Sequence, residues 1–211
     1  AVLGLAIASG ASIHNAVSVA NTAAGIVVGK VGTATVSKEE LASALKSGDP
    51  GRPAKFKNLS ELPALIEELK KKGKQLVLTN GCFDLLHAGH IRLFSESKQM
   101  GDILIVAIDD DESVKNLKGS GRPVIRAEER VRILSALDSV DYVVVFSSHE
   151  LEKLIDIVQP NVLTKGSNYA SKEVFGHERV KALSGRVVLI PVTENISSTR
   201  IINNIKSSTP D

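Results

Sequence analysis

The chain reads as an α/β protein built on a doubly wound parallel sheet of about five strands with helices on both faces. Three observations predict this. Apolar, largely β-branched runs of strand length recur at "QLVLTN", "DILIVAID", "DYVVVF", "NVLTKG" and "RVVLIPV". Helical stretches separate them, and continuous apolar strands flanked by helices indicate a parallel sheet covered on both sides. The 211 residues, 43% hydrophobic and 24% charged, suffice for one such Rossmann-like domain plus additional material.

The elements follow in order. Ala1 to Gly29 contain no Lys, Arg, Asp or Glu. A secretory signal would begin with Met and a basic segment, and neither is present. Ser9, His14, Asn15 and Asn21 interrupt the apolar run that a membrane span of about 20 residues would need, so a packed helix is expected. Starting without Met, the chain is expected to lie inside a longer protein. Residues 14–28 read as an Ala-rich helix ended by Gly29, and "TATV" as an extended piece. Ser37 and Glu40 have capping-box spacing for a helix to about Lys46. The Gly-, Pro- and charge-rich residues 47–58 read as a linker. Ser60 is the expected cap of a helix over "ELPALIEELKKKG". After the first long strand come helices at "HIRLFSESKQMG", "RAEERVRILSAL", "HELEKLIDIVQ", "SKEVFGHERVKALSG" (interrupted by Gly176) and "SSTRIINNIKS". The expected domains are residues 1–46 and 59–211, with a core at 75–206.

Composition narrows the function classes. A net charge of +2 points to no particular partner. Aromatic content of 3% without Trp argues against a stacking surface for single-stranded nucleic acid. One cysteine, Cys82, permits no intrachain disulfide and fits a reducing compartment.

The chemistry is expected past the first strand of the sheet, where ligands of open α/β sheets bind. "TNGCFDLLHAGH" follows there, with Asn80, Gly81, Asp84, His87, Gly89 and His90 close together. The two glycines permit close backbone approach. His87 and His90, three apart, share a face if helical. A helix N-terminus adds unpaired N–H groups, an anion site to which imidazoles can contribute donors. Zinc on a helix usually takes histidines four apart, so the spacing disfavours a metal pair.

"TNGCFDLLHAGH" resembles the signature of the H-x-G-H nucleotidyltransferase superfamily. "NLKGSGRPV", "ERVRILSALDSVDYVVVF", "NVLTKGSNY" and "TENISSTRII" follow in the order of its cytidylyltransferase-like branch. Within it, residues 55–207 are similar to the heptose 1-phosphate adenylyltransferase domain of bifunctional heptose-phosphate kinase/adenylyltransferases. "NAVSVANTAAGIVVGKVGTATVSKEEL" resembles the C-terminal end of their ribokinase-like kinase domain. "GIVVGK" is no P-loop, because only three residues lie between its glycines where a P-loop has four, and Val31 follows Lys30. Kinase activity is not expected.

The resemblance implies AMP transfer from ATP to D-glycero-β-D-manno-heptose 1-phosphate, giving ADP-heptose and pyrophosphate in lipopolysaccharide core biosynthesis. It implies His87, His90 and Lys118 as catalytic groups. Asn80, Gly81, Cys82, Phe83 and Gly89 would bind the nucleotide, as would Arg122 and Ser197, Ser198 and Thr199. Lys165, Gly166 and Asn168 would contact substrate. Asn168 departs from the expected "KGGDY", which has a carboxylate there. Asp84 is read as an orienting or capping residue, Arg130 as a surface helix arginine with a second basic contact as the alternative, and Asp109 to Glu112 as a solvated loop with Asp111 open to a ribose or structural contact. Expected partners are ATP with Mg²⁺ and a sugar 1-phosphate, with neither nucleic acid nor membrane, and a homo-oligomer in the cytoplasm. The alternatives are cytidylyl or adenylyl transfer to another phosphorylated alcohol such as glycerol 3-phosphate, or a nucleotide-binding module without catalysis.

Overall fold

A computed structural model of the chain describes residues 1–30, 34–47, 53–166, 174–191 and 197–207. Contacts divide it into two compact units, Ala1–Ala54 and Lys55–Asp211.

The first unit holds α1 (Val2–Ala8), α2 (Ile13–Val28) and α3 (Lys38–Ser47). Ser12 caps α2 by accepting the Asn15 N–H at 3.3 Å. Ser37 and Glu40 form the expected capping box, with reciprocal bonds of 3.1 and 2.8 Å. Lys30, the last residue of the rejected P-loop, donates to the Thr35 carbonyl at 2.8 Å and pairs with Glu40 at 2.7 Å. Among the described residues no helix is long and apolar enough to cross a membrane.

The second unit begins inside the expected linker with β1 (Phe56–Lys57). A 3-10 turn then leads into α4 (Leu62–Lys71). Ser60 lies within that turn. Asn58 starts it, its N–H donating to the Glu61 carboxylate at 2.7 Å, and the α-helix begins at Leu62, one residue later than a Ser60 cap implies. There follow β2 (Leu76–Gly81), α5 (Ala88–Lys98), β3 (Ile103–Asp109), α6 (Asp111–Lys118), α7 (Ala127–Ser135) and β4 (Tyr142–Phe146). The chain continues with α8 (Leu151–Val158), β5 (Val162–Gly166), α9 (His177–Ala182), β6 (Arg186–Ile190) and α10 (Ser198–Ser207).

The sheet has six parallel strands in the order β1-β4-β3-β2-β5-β6. Five match the apolar runs; the sixth, β1, is a two-residue edge strand beside β4. Gly176 does not interrupt a described helix: it precedes α9 with φ +86°, which favours glycine.

Alternation along the strands splits the core in two. Leu76, Leu78, Ile105 and Leu163 pack on one face with Leu62 and Ile66 of α4 and Leu154 and Val158 of α8. Val77, Leu104, Val106 and Val162 pack on the other with Phe94 of α5 and Val131 and Leu134 of α7. Polar side chains complete the sheet where backbone groups lack ladder partners. Asp102, Asn161 and Asp141 accept the N–H groups of Gln75, Leu76 and Leu104 at 2.8, 2.8 and 2.7 Å. Buried Ser97 of α5 and Thr164 of β5 share a 2.7 Å hydroxyl bond, and Thr79 of β2 donates to the Thr164 carbonyl at 3.1 Å. This net fixes α5, and the polar loop before it, against β2 and β5.

The turn from α5 into β3 needs a glycine for space. A Cβ on Gly101 would lie 2.7 Å from Val77 Cγ2 and 2.8 Å from the Gln75 carbonyl oxygen. Gly101→Ala is expected to destabilise the domain by about 1–3 kcal/mol, read as a lower denaturant midpoint at unchanged slope.

Candidate functional site

A cavity of about 360 Å³ opens beyond the carboxyl ends of β2, β3 and β5. The chain there leaves β2 toward β3 on one side, while β5 pairs on the other, the switch point at which such sheets bind ligands.

The loop after β2 forms its floor. Phe83 has φ +44°, a left-handed conformation uncommon for a bulky residue. Its ring lies over Gly81, where a Cβ would approach to 3.3 Å. It meets the His90 ring edge-on at 5.3 Å and Phe94 at 5.0 Å. His87 is the N-cap of α5 and His90 lies in its first turn. Their rings stack with centroids 3.8 Å apart. Burial lowers the pKa of His87, and burial together with His87 lowers that of His90 to about 4. Two neutral rings can stack this closely where two cations would repel. The Nδ1 atoms of both rings and Asn80 Oδ1 are buried without a hydrogen-bond partner.

One side wall comes from β3, α6 and the following loop. Asp110 caps α6 by accepting the Ser113 N–H at 2.7 Å, and Asp111 and Glu112 occupy its first turn. Residues 109–112 are therefore a strand end and a helix start, not a solvated loop. Lys118 closes that helix and lines the cavity. Arg122 also lines it, its guanidinium 2.6 Å from the Asp84 carboxylate. Asp84, 1% exposed, also accepts the Ile125 N–H at 2.8 Å and the Val124 N–H at 2.9 Å. Burial acts to raise its pKa, but those bonds and Arg122 outweigh it and hold the carboxyl below its usual value. Asp84 thereby orients the loop that carries Arg122.

The opposite wall comes from β5 and α10. Lys165 donates to the Asn80 carbonyl at 2.7 Å. Burial pushes its amine down to about 8, with Asp109 and Cys82 opposing. Gly166 lines the cavity beside it. Ser197 caps α10 by accepting the Arg200 N–H at 3.2 Å, and Ser198 donates to the Leu85 carbonyl at 3.0 Å. Thr199 completes this wall. Cys82 faces the cavity too, and burial raises its thiol to about 11, so it is a poor nucleophile.

The structure thus brings together the candidate residues of the floor and both walls, from Asn80 to Thr199, around one cavity. Asn168 lies outside the described residues. Leu93 and Leu117, which the sequence does not single out, also line the cavity, and so does Asp109, expected in a solvated loop. Arg130 was misread. It is 1% exposed and donates to three carbonyls, of Cys82 at 2.7 Å, Asp109 at 2.8 Å and Ile125 at 3.0 Å. It also pairs with Asp111 at 2.7 Å. A surface arginine would lie on the α7 face opposite Val131 and Leu134; Arg130 instead points inward because acceptors far along the chain meet it.

The cytidylyltransferase-like family profile matches residues 78–204. The chain belongs to the cytidylyltransferase-like family. It is 55% identical over 206 residues to the bifunctional protein HldE of Desulfatibacillum aliphaticivorans and 45% identical over 206 residues to that of Geotalea uraniireducens. Each alignment covers 98% of this chain and 42% of the relative, so the chain spans less than half the length of these curated relatives. A crystal structure of pantoate-beta-alanine ligase from Francisella tularensis superposes with a TM-score of 0.52 at 17% identity, covering 72% of this chain and 76% of that one. That likeness is one of fold. In this member of the cytidylyltransferase-like family, the order of elements sets the two histidines, Lys118 and the start of α10 around the same opening.

Two expected outcomes follow from the geometry. Arg130→Ala leaves three carbonyls and Asp111 without their donor, and should destabilise the domain by about 3–5 kcal/mol in chemical denaturation. Arg130→Lys, which lacks the planar fork, should restore only part. The second concerns pH. His90 titrates near 6.5 when unfolded and at about 4 when folded. As pH falls below 6.5 the unfolded chain takes up the proton first, so stability declines between pH 6.5 and 4, by at most ~1 kcal/mol per unit given the ring's partial solvent contact. Urea midpoints measured across that window should show the decline, and His90→Asn should flatten it. Asp84, with its lowered pKa, adds loss only below the usual carboxylate range.

Proposed function

We propose that this chain is a nucleotidyltransferase that moves AMP from ATP to a sugar 1-phosphate, with D-glycero-β-D-manno-heptose 1-phosphate as acceptor. The observation that carries this reading is the stacked pair His87 and His90 at the start of α5, facing a cavity bordered by Lys118, Arg122 and the start of α10. The likeness to HldE proteins of two bacteria supports the heptose acceptor and a place in lipopolysaccharide core biosynthesis.

In the proposed reaction an oxygen of the acceptor phosphate attacks the α-phosphorus. The bond from that phosphorus to its bridging oxygen breaks, and pyrophosphate leaves with the electron pair. A phosphate monoester is already anionic, so no side-chain nucleophile or strong base is required. The protein's work is positioning and charge stabilisation. Neutral His87 and His90 donate N–H bonds to the phosphates, joined by backbone N–H groups at the starts of α5 and α10. The Ser198 hydroxyl donates within the fold, whereas Ser197 only accepts and keeps its O–H to donate, so Ser197, Thr199 and backbone N–H groups make the contacts of α10. Lys118 and Arg122 neutralise charge from the other wall. Asn80, Gly81, Cys82, Phe83 and Gly89 shape the nucleotide's bed, with Asn80 Oδ1 left to accept a ligand donor. Lys165 and Gly166 contact base or sugar from β5, and Asn168 is assigned to the same subsite.

Among the described residues no group of three His, Cys, Asp or Glu side chains is placed to hold a metal ion. Mg²⁺ that binds through a substrate's phosphates and one or two carboxylates needs no such group. Mg²⁺ belongs in this reading with the nucleotide's own phosphates.

Pyrophosphate release measured with ATP or CTP against several phosphorylated acceptors tests the proposal. ATP with heptose 1-phosphate should be the productive pair, and His90→Ala should lower its kcat by about 10²–10³-fold while leaving the protein folded. Turnover of CTP with glycerol 3-phosphate, and none of the first pair, would replace this reading by the alternative acceptor.

A further inference from the structure

Asp109 is unaccounted for by phosphate binding. It ends β3, lines the cavity, and is 8% exposed. Phosphate groups at this pH present acceptors and negative charge, and a carboxylate beside them offers more of both. Its presence needs a ligand group with donors.

The protein itself does little to satisfy it. Its carboxylate takes a side-chain hydrogen bond from the Cys82 thiol, a weak donor. Among the described residues no ion pair closes on Asp109, although Lys165 and Arg130 act on it at longer range. Arg130 spends its donors on the Asp109 backbone carbonyl, at 2.8 Å, and on its other partners. That bond fixes where the residue sits while leaving the carboxylate to the cavity. Burial pushes the Asp109 carboxyl upward in pKa, as expected where hydration is reduced and no strong partner replaces it.

Its position selects the ligand. An in-line displacement puts the attacking phosphate and the departing pyrophosphate on opposite sides of the α-phosphorus. With the triphosphate held by the histidines and α10, the attacking phosphate falls to Lys118 and Arg122. Those two residues stand on the β3 side, and so does Asp109. The body of the acceptor, tethered by its phosphate to Lys118 and Arg122, then lies along the wall that Asp109 ends.

We propose that Asp109 is a specificity residue for the acceptor, its carboxylate receiving hydrogen bonds from one or two hydroxyl groups of the sugar. This rests on the reading of the site as a sugar 1-phosphate nucleotidyltransferase. Phosphorylated acceptors lacking a hydroxyl at that place leave a buried carboxylate unpaired and are rejected, which is how a polar pocket discriminates most strongly.

The test combines a variant with altered substrates, because Asp109→Asn alone could disturb the strand end. Steady-state pyrophosphate release is measured for the wild-type chain and for D109N with heptose 1-phosphate and a series of its single-deoxy analogues. The expected result is a rise of about 10–100-fold in acceptor KM for D109N, with the KM for ATP within about twofold. One deoxy analogue should show a comparable loss with the wild-type chain and little further loss with D109N. Equal losses for every analogue, additive losses in the pair, an unchanged acceptor KM, or an effect on the KM for ATP instead would overturn the assignment; the last would move Asp109 to the nucleobase amino group. A wild-type chain that releases pyrophosphate with no sugar 1-phosphate would overturn the proposed function itself, an outcome read before the variant is made.

Discussion

The Arg130 guanidinium is the joint on which the site is built. Its donors take the carbonyls of Cys82, Asp109 and Ile125 and the carboxylate of Asp111. Those acceptors belong to the ends of β2 and β3, to the loop after Arg122 and to the start of α6. Strands of a parallel sheet end in carbonyls with no further ladder partner, and buried carbonyls need donors. A rigid planar fork serves three of them at once, which a single ammonium on a flexible stem does not. The charge stays buried because Asp111 pairs with it and the carbonyls complete its hydrogen bonding. Asp84 acts the same way one layer up, gathering Arg122 and two N–H groups of the same loop. Both devices hold irregular backbone at the mouth of the sheet, where function requires departures from regular pairing.

What was legible in the sequence followed from local, repeating physics. Strands buried on both faces must be apolar throughout, so β2 to β6 stand out as runs of Val, Ile and Leu. The cluster Asn80 to His90 stands out because glycines and histidines break such a run abruptly. Ser37 with Glu40 was readable because a capping box spans four residues. The missed features are those whose cause lies far away in the chain. Phe56–Lys57 pairs because β4, more than 80 residues on, leaves an edge open. Helix α6 carries few apolar residues, and its signals are charge-based: Asp110 as cap, acids in its first turn and Lys115 and Lys118 in its last. Arg130 shares a helix face with Leu134, four residues on, and Arg132 lies opposite, but an arginine on that face declares its burial only once its acceptors are known. One is enclosed by acceptors from Cys82 and Asp109, while the other pairs with Glu128 in solvent.

The cavity also concentrates unsatisfied groups. Among the described residues, four buried side-chain polar atoms lack a partner, and Asn80 Oδ1, His87 Nδ1 and His90 Nδ1 are three of them. An unpaired buried polar atom costs about 1–3 kcal/mol, so a fold keeps such atoms together only where the rest of the structure over-determines them. Here the hydroxyl net of Ser97, Thr164 and Thr79 anchors α5 from below, and Phe83 braces His90 from the side. The imidazoles cannot turn away to find partners without leaving those contacts.

The same arrangement explains why the histidines are neutral. Protonated imidazoles would bind phosphate more strongly in the ground state, but they would also repel one another across 3.8 Å and lose hydration in the pocket. Neutral rings give up that attraction and keep a fixed geometry. In the proposed reaction, hydrogen bonds from them to phosphate would gain strength as negative charge builds at the reacting phosphorus, which is the condition under which binding energy accelerates a reaction rather than merely holding its substrate. Fixed positive charge is left to Lys118 and Arg122, on the wall where α6 ends and the Asp84-anchored loop begins. A cavity with preorganised neutral donors at one side and formal cations at the other distinguishes its two phosphates by what each must do. In the proposed reaction one would be cleaved, and would need stabilisation that grows along the reaction; the other would attack, and would need only to be gathered and aimed.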